Sequence, residues 1–301
     1  MRMHPRSSTF PALVWCAMLV AACGPTDPTI LVPGGAAVVA SLTWDKIVGD
    51  SALRAAVGFR DAIAVAERFE HDGHSQISRV IAFSKGTWAA ETSAVIVVGH
   101  FAEKELTRIL LESGWVKRGR RQFADSSGRQ QLLIQSRRIL IVGSGAGIEA
   151  TSRQARHAER EKLPASVRSR LADDSYATYV VIRSNGGEFF KGDADIGTLV
   201  NDPRVRDAWL ALTKLGAAKR FEVGLATVGD SVRLYLRAAM ASDGVARKTV
   251  GMLKSASAVF GLIQQAGITT KSSALSQLGP TLTPTQDHSD VVVQVALPRA
   301  R

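Results

Sequence analysis

The sequence predicts an α+β protein built from two tandem ferredoxin-like modules. Short apolar runs typical of strands alternate with segments of helical periodicity, and both halves of the chain give the order β-α-β-β-α-β. A similar helix start recurs in both halves, beginning at Asp50 and at Asp202. The 301 residues, 46% of them hydrophobic, suffice for one large or two ordinary domains. One continuous mixed sheet of about ten or more strands is the alternative.

The same patterns predict the strands and helices of the first module, residues 37–145. A strand over 37–43 precedes a helix over 50–69, followed by strands over 77–84 and 93–100, a helix over 102–113, a strand over 115–123 and a hairpin of 130–135 with 138–142. The hairpin closes the module.

A polar helical connector, residues 146–175, leads to the second module, residues 176–301. Its predicted elements are a strand over 176–183, a helix over 203–216, strands over 219–228 and 231–240, a helix over 244–265, a short helix over 272–278 and a strand over 290–297. Pro203 stands at the first helical position, where its missing N–H costs nothing.

Residues 1–22 have the pattern of a secretory leader. Arg2 and Arg6 precede an apolar stretch, Ala12–Ala22, and no acidic residue occurs before Asp27. This stretch is about half the roughly twenty residues that a membrane-spanning helix needs. Residues 23–36, rich in Pro and Gly, are predicted to form a flexible tether.

The leader ends in Leu19-Val20-Ala21-Ala22-Cys23, which resembles the lipobox of bacterial lipoproteins. The resemblance covers only the leader and implies cleavage before Cys23 and attachment of diacylglycerol to its sulfur. Val20 departs from the commoner Leu at that position. Gly24 after the cysteine implies sorting to the outer membrane rather than the inner one. An ordinary signal peptide with an incidental cysteine is the alternative.

The cysteine count supports lipidation. The chain has two cysteines, Cys16 inside the leader and Cys23 at the predicted cleavage point. The folded body therefore has no disulfide, thiolate metal site or cysteine nucleophile. Acylation explains why a single cysteine without a disulfide partner stands at position 23.

Basic residues are the most informative surface feature of a chain with a net charge of +11. Six of them are predicted to form an anion-binding surface: Lys117, Arg118, Arg120, Arg121, Arg137 and Arg138. Such a surface attracts anionic lipid, polysaccharide or an acidic envelope protein. The competing interpretation is that Lys and Arg protect an exposed sheet edge from pairing with other strands. Arg153, Arg156 and Arg160 form a second, helical line of cations.

The other motifs of the sequence do not predict a cofactor, metal or catalytic site. Gly143-Ser-Gly145-Ala-Gly147 lacks the following parallel strand and acidic residue that a dinucleotide site needs. The run Glu70–His74 lacks a third histidine nearby, and the loop from Asp193 has Arg204 where calcium requires Glu. No catalytic motif is recognisable, so we predict no catalytic residues, no metal and no cofactor. The aromatic signature of RNA-binding sheets is absent as well, and nucleic acid is not an expected partner.

These observations predict a lipid-anchored envelope protein that is not an enzyme and binds an anionic component or a protein partner. Membrane attachment is expected through the lipid on Cys23. The alternative is a hydrolase with its site in the cleft between the two modules. A third hypothesis is a scaffold subunit that uses an exposed sheet face.

Overall fold

The computed structural model of the chain describes residues 27–50, 63, 66–67, 69, 75–84, 94–156, 163–183, 218–228, 231–265 and 283–298. The protein is α+β, as predicted, and its strands form one twelve-stranded sheet. Helices predicted over 203–216 and 272–278 lie outside the described residues, as does most of the helix over 50–69. None of the helices in the described part is both long and apolar enough to cross a bilayer.

The strands alternate with helices that connect or cover them. The strands are β1 Val38–Thr43, β2 Ser75–Ser84, β3 Ala94–Phe101, β4 Val116–Lys117, β5 Gln122–Ala124, β6 Gln131–Ser136, β7 Ile139–Gly143, β8 Thr178–Arg183, β9 Arg220–Val228, β10 Ser231–Ala239, β11 Thr283–Asp287 and β12 Asp290–Pro298. The helices are a 3-10 turn Pro28–Leu31, α1 Trp44–Val48, α2 Glu103–Glu112, α3 Gly145–Arg156, α4 Ala165–Leu171 and α5 Asp243–Gln265. Sequence reasoning missed β11, α1 and α4.

The sheet order is β11-β12-β10-β9-β8-β1-β2-β3-β7-β6-β5-β4, with every pair antiparallel. The tandem ferredoxin-like modules are not confirmed, because β1 pairs directly and antiparallel with β2. A split β-α-β unit would place another strand between two parallel ones. The continuous sheet that the sequence left open is the observed arrangement, although it is antiparallel rather than mixed.

The two halves of the sheet nevertheless repeat one pairing order. They meet where β1 pairs with β8, with Ala40 opposite Val180. Outward from this seam, β1, β2, β3 and β7 follow one another on one side, and β8, β9, β10 and β12 on the other. In each half a helix follows the third strand, α2 after β3 and α5 after β10. The halves are thus joined by a hydrogen-bonded ladder rather than separated by a cleft.

The first face of the sheet carries the larger hydrophobic core. Strand residues from both halves contribute to it, including Phe123, Leu132 and Phe221. Trp44 of α1, Leu106 and Leu110 of α2, and Ala246 and Val250 of α5 cover them. Because alternate strand residues point to opposite faces, these helices define one side of the molecule.

The second face is covered over the central strands by α3, α4 and the chain before β1. A separate core there contains Leu31 and Val32, together with Ile148 of α3 and Val167 of α4. The flexible tether predicted over 23–36 was therefore wrong from Thr29 onward, because Leu31 and Val32 supply apolar area that this face buries. We call residues 27–36 the N-terminal strap. The connector helices likewise present buried apolar sides to the sheet.

The outermost strands are short or interrupted. β4 has only two residues, the second of which is Lys117, and the basic residues Arg118, Arg120 and Arg121 follow in the next turn. β11 at the other edge carries Pro284, which has no N–H to offer another strand. Both edges are therefore poor templates for strand addition.

Candidate anion-binding site

The chain reverses direction at residues 118–121, between β4 and β5. The backbone amides of Arg118 and Gly119 both donate to the carbonyl of Gln122, at 2.9 and 3.2 Å. The single strand predicted over 115–123 was wrong, because no large apolar residue occurs from Lys117 to Gln122 to keep the segment in the sheet. This turn gathers the cations at a sheet end instead of spreading them along a strand.

A second turn, at Arg137 and Arg138, joins β6 to β7 as predicted. The amide of Arg138 donates to the Ser136 hydroxyl at 3.1 Å. The carbonyls of Arg137 and Arg138 accept from the amides of Phe101 and Gly99, each at 2.9 Å. The end of β3 thereby holds this turn in place, and the two arginines project from a fixed backbone.

Both turns lie at the same end of the sheet. In an antiparallel sheet, the turn from β4 to β5 and the turn from β6 to β7 point the same way, and β3 ends there too. α2 begins immediately after β3 and so begins at this end. We call the six predicted cations the basic patch: Lys117, Arg118, Arg120, Arg121, Arg137 and Arg138.

Glu103 in the first turn of α2 ties the two turns together electrostatically. Arg121 donates to both of its carboxylate oxygens, from Nε at 3.0 Å and from Nη2 at 2.7 Å. These hydrogen bonds lower the pKa of Glu103, and the nearby charges of Arg120 and Arg137 lower it further. Arg121 therefore contacts this carboxylate, and the charges of Arg120 and Arg137, from both turns, act on it from a longer distance.

The other five cations of the basic patch are exposed. Within the described part of the chain, none of those five side chains forms an ion pair, and only Arg121 has an acidic partner. A set of exposed like charges raises the local positive potential and attracts anions, less so as salt increases. The structure thus brings together all six residues that the sequence singled out.

The remaining sequence motifs have structural roles or lie outside the description. The Ser144 hydroxyl accepts from the amide of Gly147 at 3.2 Å, so the glycine-rich run serves as the start of α3. Arg153 pairs with Glu149 on the same helix at 3.0 Å. The run 70–74 and the loop 193–197 are outside the described residues. No group of three or more metal-ligating side chains occurs among the residues described.

A second charged cluster lies on the second face, where sequence reasoning did not expect one. Glu222 on β9 is 1% exposed and accepts four hydrogen bonds. Arg170 of α4 donates from Nε at 2.6 Å and from Nη2 at 2.7 Å, and Arg220 donates from Nε at 2.7 Å. The Tyr179 hydroxyl donates the fourth bond. The carboxylate thereby joins α4 to β8 and β9.

All three tyrosines of the chain meet beside this carboxylate. The ring of Tyr176 lies 4.8 Å from that of Tyr179 and 5.3 Å from that of Tyr235, between ring centres. Gly224 makes room for this cluster, since a Cβ there would lie 2.7 Å from two ring atoms of Tyr176. Aromatic pairs at such separations stabilise a fold beyond their buried area.

The pKa values in this cluster follow from burial and pairing. Burial alone would raise the pKa of Glu222, but the hydrogen bonds from Arg170 and Tyr179 outweigh it and the pKa is lowered. Burial, reinforced by the charge of Glu222, raises the pKa of Tyr179. The carboxylate therefore stays ionised, and the phenol stays neutral as a donor. Because both carboxylate oxygens already accept from internal donors, the cluster supports structure rather than ligand binding.

The sequence carries one local signal for Glu222. This residue stands between two apolar residues, Phe221 and Val223, on β9, which is an interior strand of the sheet. A charged residue on an interior strand needs a partner. Arg170 is 52 residues away along the chain, and no spacing rule connects the two.

No protein-family model and no curated protein sequence matches the chain. Among solved structures, one described as "Structure of crystal form I of TP0453" is similar, with a TM-score of 0.53 over 92% of this chain and 95% of that one. The two chains are 12% identical. The likeness is one of fold. A superposition at this identity carries no site residues from one protein to the other.

Proposed function

We propose that this protein is a lipid-anchored lipoprotein of the bacterial cell envelope that binds an anionic envelope component through the basic patch. The observation that carries the binding proposal is the gathering of six cations, from two separate turns, at one end of the sheet. Five of them are exposed and, among the described residues, without an ion-pair partner. Protection of an edge strand explains the cations beside β4. It does not explain Arg137 and Arg138, because their turn joins β6 and β7, which are not edge strands.

The anchoring proposal rests on the lipobox-like sequence that ends at Cys23 and on the absence of any other cysteine after the leader. Outer-membrane sorting is part of the proposal, from Gly24. Acyl chains supply stable attachment when more than one is present, while cations near an anionic surface add about 1 kcal/mol each.

Anchoring is tested by radiolabelled palmitate incorporation and membrane fractionation in a bacterial host. Cys23→Ala should lose both the label and membrane retention. Cys16→Ala is the matched control, because it removes the leader cysteine and should leave both unchanged. Label that persists in Cys23→Ala would refute lipidation at this residue.

Binding is tested with the mature chain and an anionic ligand, measured as a dissociation constant at two salt concentrations. Reversing Arg118 and Arg120 to Glu should cost at least about 2 kcal/mol, or roughly thirtyfold in Kd. The control reverses Arg129 and Lys254, two exposed cations outside the patch, so the net charge changes equally. Equal losses in the two double variants would mean that overall charge, rather than the patch, governs binding.

The hydrolase alternative is not favoured by any described feature. Its motivation was a cleft between two modules, and β1 pairs with β8 at that boundary. We therefore put forward no second function.

A further inference from the structure

The N-terminal strap lies on one side of the sheet and the basic patch on the other. Leu31 and Val32 of the strap pack in the second-face core with α3 and α4. Asp27 at its start pairs with Arg168 of α4 at 3.1 Å, and its other carboxylate oxygen accepts from the amide of Thr29 at 2.9 Å. The strap is thus held by apolar burial and by an ion pair.

The basic patch belongs to the opposite side. Lys117 pairs directly with Phe123, whose ring lies in the first-face core. Residues directly opposite in an antiparallel pair share a face, so Lys117 lies on the first face as well. Arg121 is bound to Glu103 of α2, a helix that covers the first face. Arg120 and Arg137 are close enough to that carboxylate to influence its pKa.

The covalent distance from Cys23 to the strap is short. Three residues separate Cys23 from Asp27, and the four residue steps between the two span about 14 Å at full extension. The strap packs on the central strands, five strand positions from β11 and six from β4. At about 4.8 Å per strand, either edge of the sheet is roughly 24 Å or more away. A lipid on Cys23 therefore stays within about 14 Å of the start of the strap and cannot reach around either lateral edge of the sheet.

We propose that the anchored protein holds its second face toward the bilayer and its basic patch away from it, so that the patch binds an anionic polysaccharide rather than the headgroups of the anchoring membrane. This inference rests on the proposed lipidation of Cys23.

The spacing of the patch supports a polymeric ligand. Its two turns lie on neighbouring strand pairs, β4–β5 and β6–β7, so their centres are about two strand spacings, roughly 10 Å, apart. A chain with repeated carboxylates reaches both turns and gains from each, because linked contacts raise the effective concentration of the second.

The orientation is tested in acylated protein reconstituted into phosphatidylcholine vesicles that contain a nitroxide-labelled quencher lipid. Cys16 leaves with the leader and the thiol of Cys23 is acylated, so an engineered cysteine is the only free thiol. One variant, Ser169→Cys, places a fluorophore on the exposed side of α4, and Leu111→Cys places it on α2, where Leu111 is 49% exposed. We expect several-fold stronger quenching at 169 than at 111. Equal or reversed quenching would overturn the orientation.

The ligand class is tested with the same vesicles and alginate, a polymer of uronic acids, with neutral dextran as the control. Anchored protein should bind alginate as tightly as the soluble mature chain, and phosphatidylglycerol in the vesicles should not compete. Competition by that lipid, or loss of alginate binding on anchoring, would show that the patch faces the bilayer. A chain that stays soluble with Cys23 intact would refute lipidation as well, whereas an anchored chain with equal quenching refutes only the orientation.

Discussion

Glu222→Gln should destabilise the fold far more than the loss of an exposed carboxylate. The substitution keeps the size of the side chain but removes the charge that Arg170 and Arg220 face at 2.6 to 2.7 Å. Glu222 is 1% exposed, and the side chains of Arg170 and Arg220 are 20% and 22% exposed. Removing one partner of a buried pair typically costs 3–5 kcal/mol. Because both arginines keep some contact with water, we expect about 3 kcal/mol, at the lower end of that range.

Urea denaturation measures this cost. With a slope of about 3 kcal/mol per molar urea, a loss of about 3 kcal/mol moves the midpoint by about 1 M. Glu112→Gln is the matched control, since Glu112 is 60% exposed and pairs with Arg108 on the same helix. Its cost should stay below about 0.5 kcal/mol. Similar midpoints for the two variants would show that Glu222 does not hold α4 to the sheet.

Three further predictions concern the same region and its surroundings. Since pairing lowers the pKa of Glu222 below its usual 4.5, the stability it contributes is complete above that pH and lost as pH falls through the folded pKa. The deficit of Glu222→Gln should therefore shrink in acid, and a constant deficit from pH 7 to pH 3 would contradict this. Gly224→Ala should cost about 1–3 kcal/mol because its Cβ collides with Tyr176, whereas Gly251→Ala on α5 should raise the unfolding free energy by up to about 1 kcal/mol, as seen in thermal melts. Arg79→Met should lower the melting temperature by several degrees, because the buried guanidinium donates to main-chain carbonyls at the end of α4; an unchanged melt would show that water replaces those bonds.

Most strands were predictable from the sequence, because the signals for a strand, alternating apolar residues bounded by turn residues, are contained within a few neighbouring positions. The hairpin of β6 and β7 and the long α5 were found in this way. Topology was not predictable to the same degree. One order, β-α-β-β-α-β, fits both a ferredoxin-like module and the observed antiparallel ladder, because the order of elements does not say whether a connection returns to the same or the opposite sheet end.

The basic patch was predictable because its members are close in sequence and carry the same charge. The turn that displays Arg118 and Arg120 was not, because it depends on where β5 begins. The pairing of Glu222 was not predictable from the sequence for a different reason. Its partner Arg170 lies on α4, whose position over β9 is decided by the apolar contacts of Val167 and Leu171 with the second face.

The short or interrupted outer strands affect how the protein behaves at high concentration. A wide antiparallel sheet with open edges is a hazard at high local concentration, since each edge could recruit another chain and grow into a fibril. Here the two-residue β4 and the proline of β11 leave too few correctly placed amides for such growth to begin. Copies at high concentration can therefore remain separate molecules despite a sheet of twelve strands.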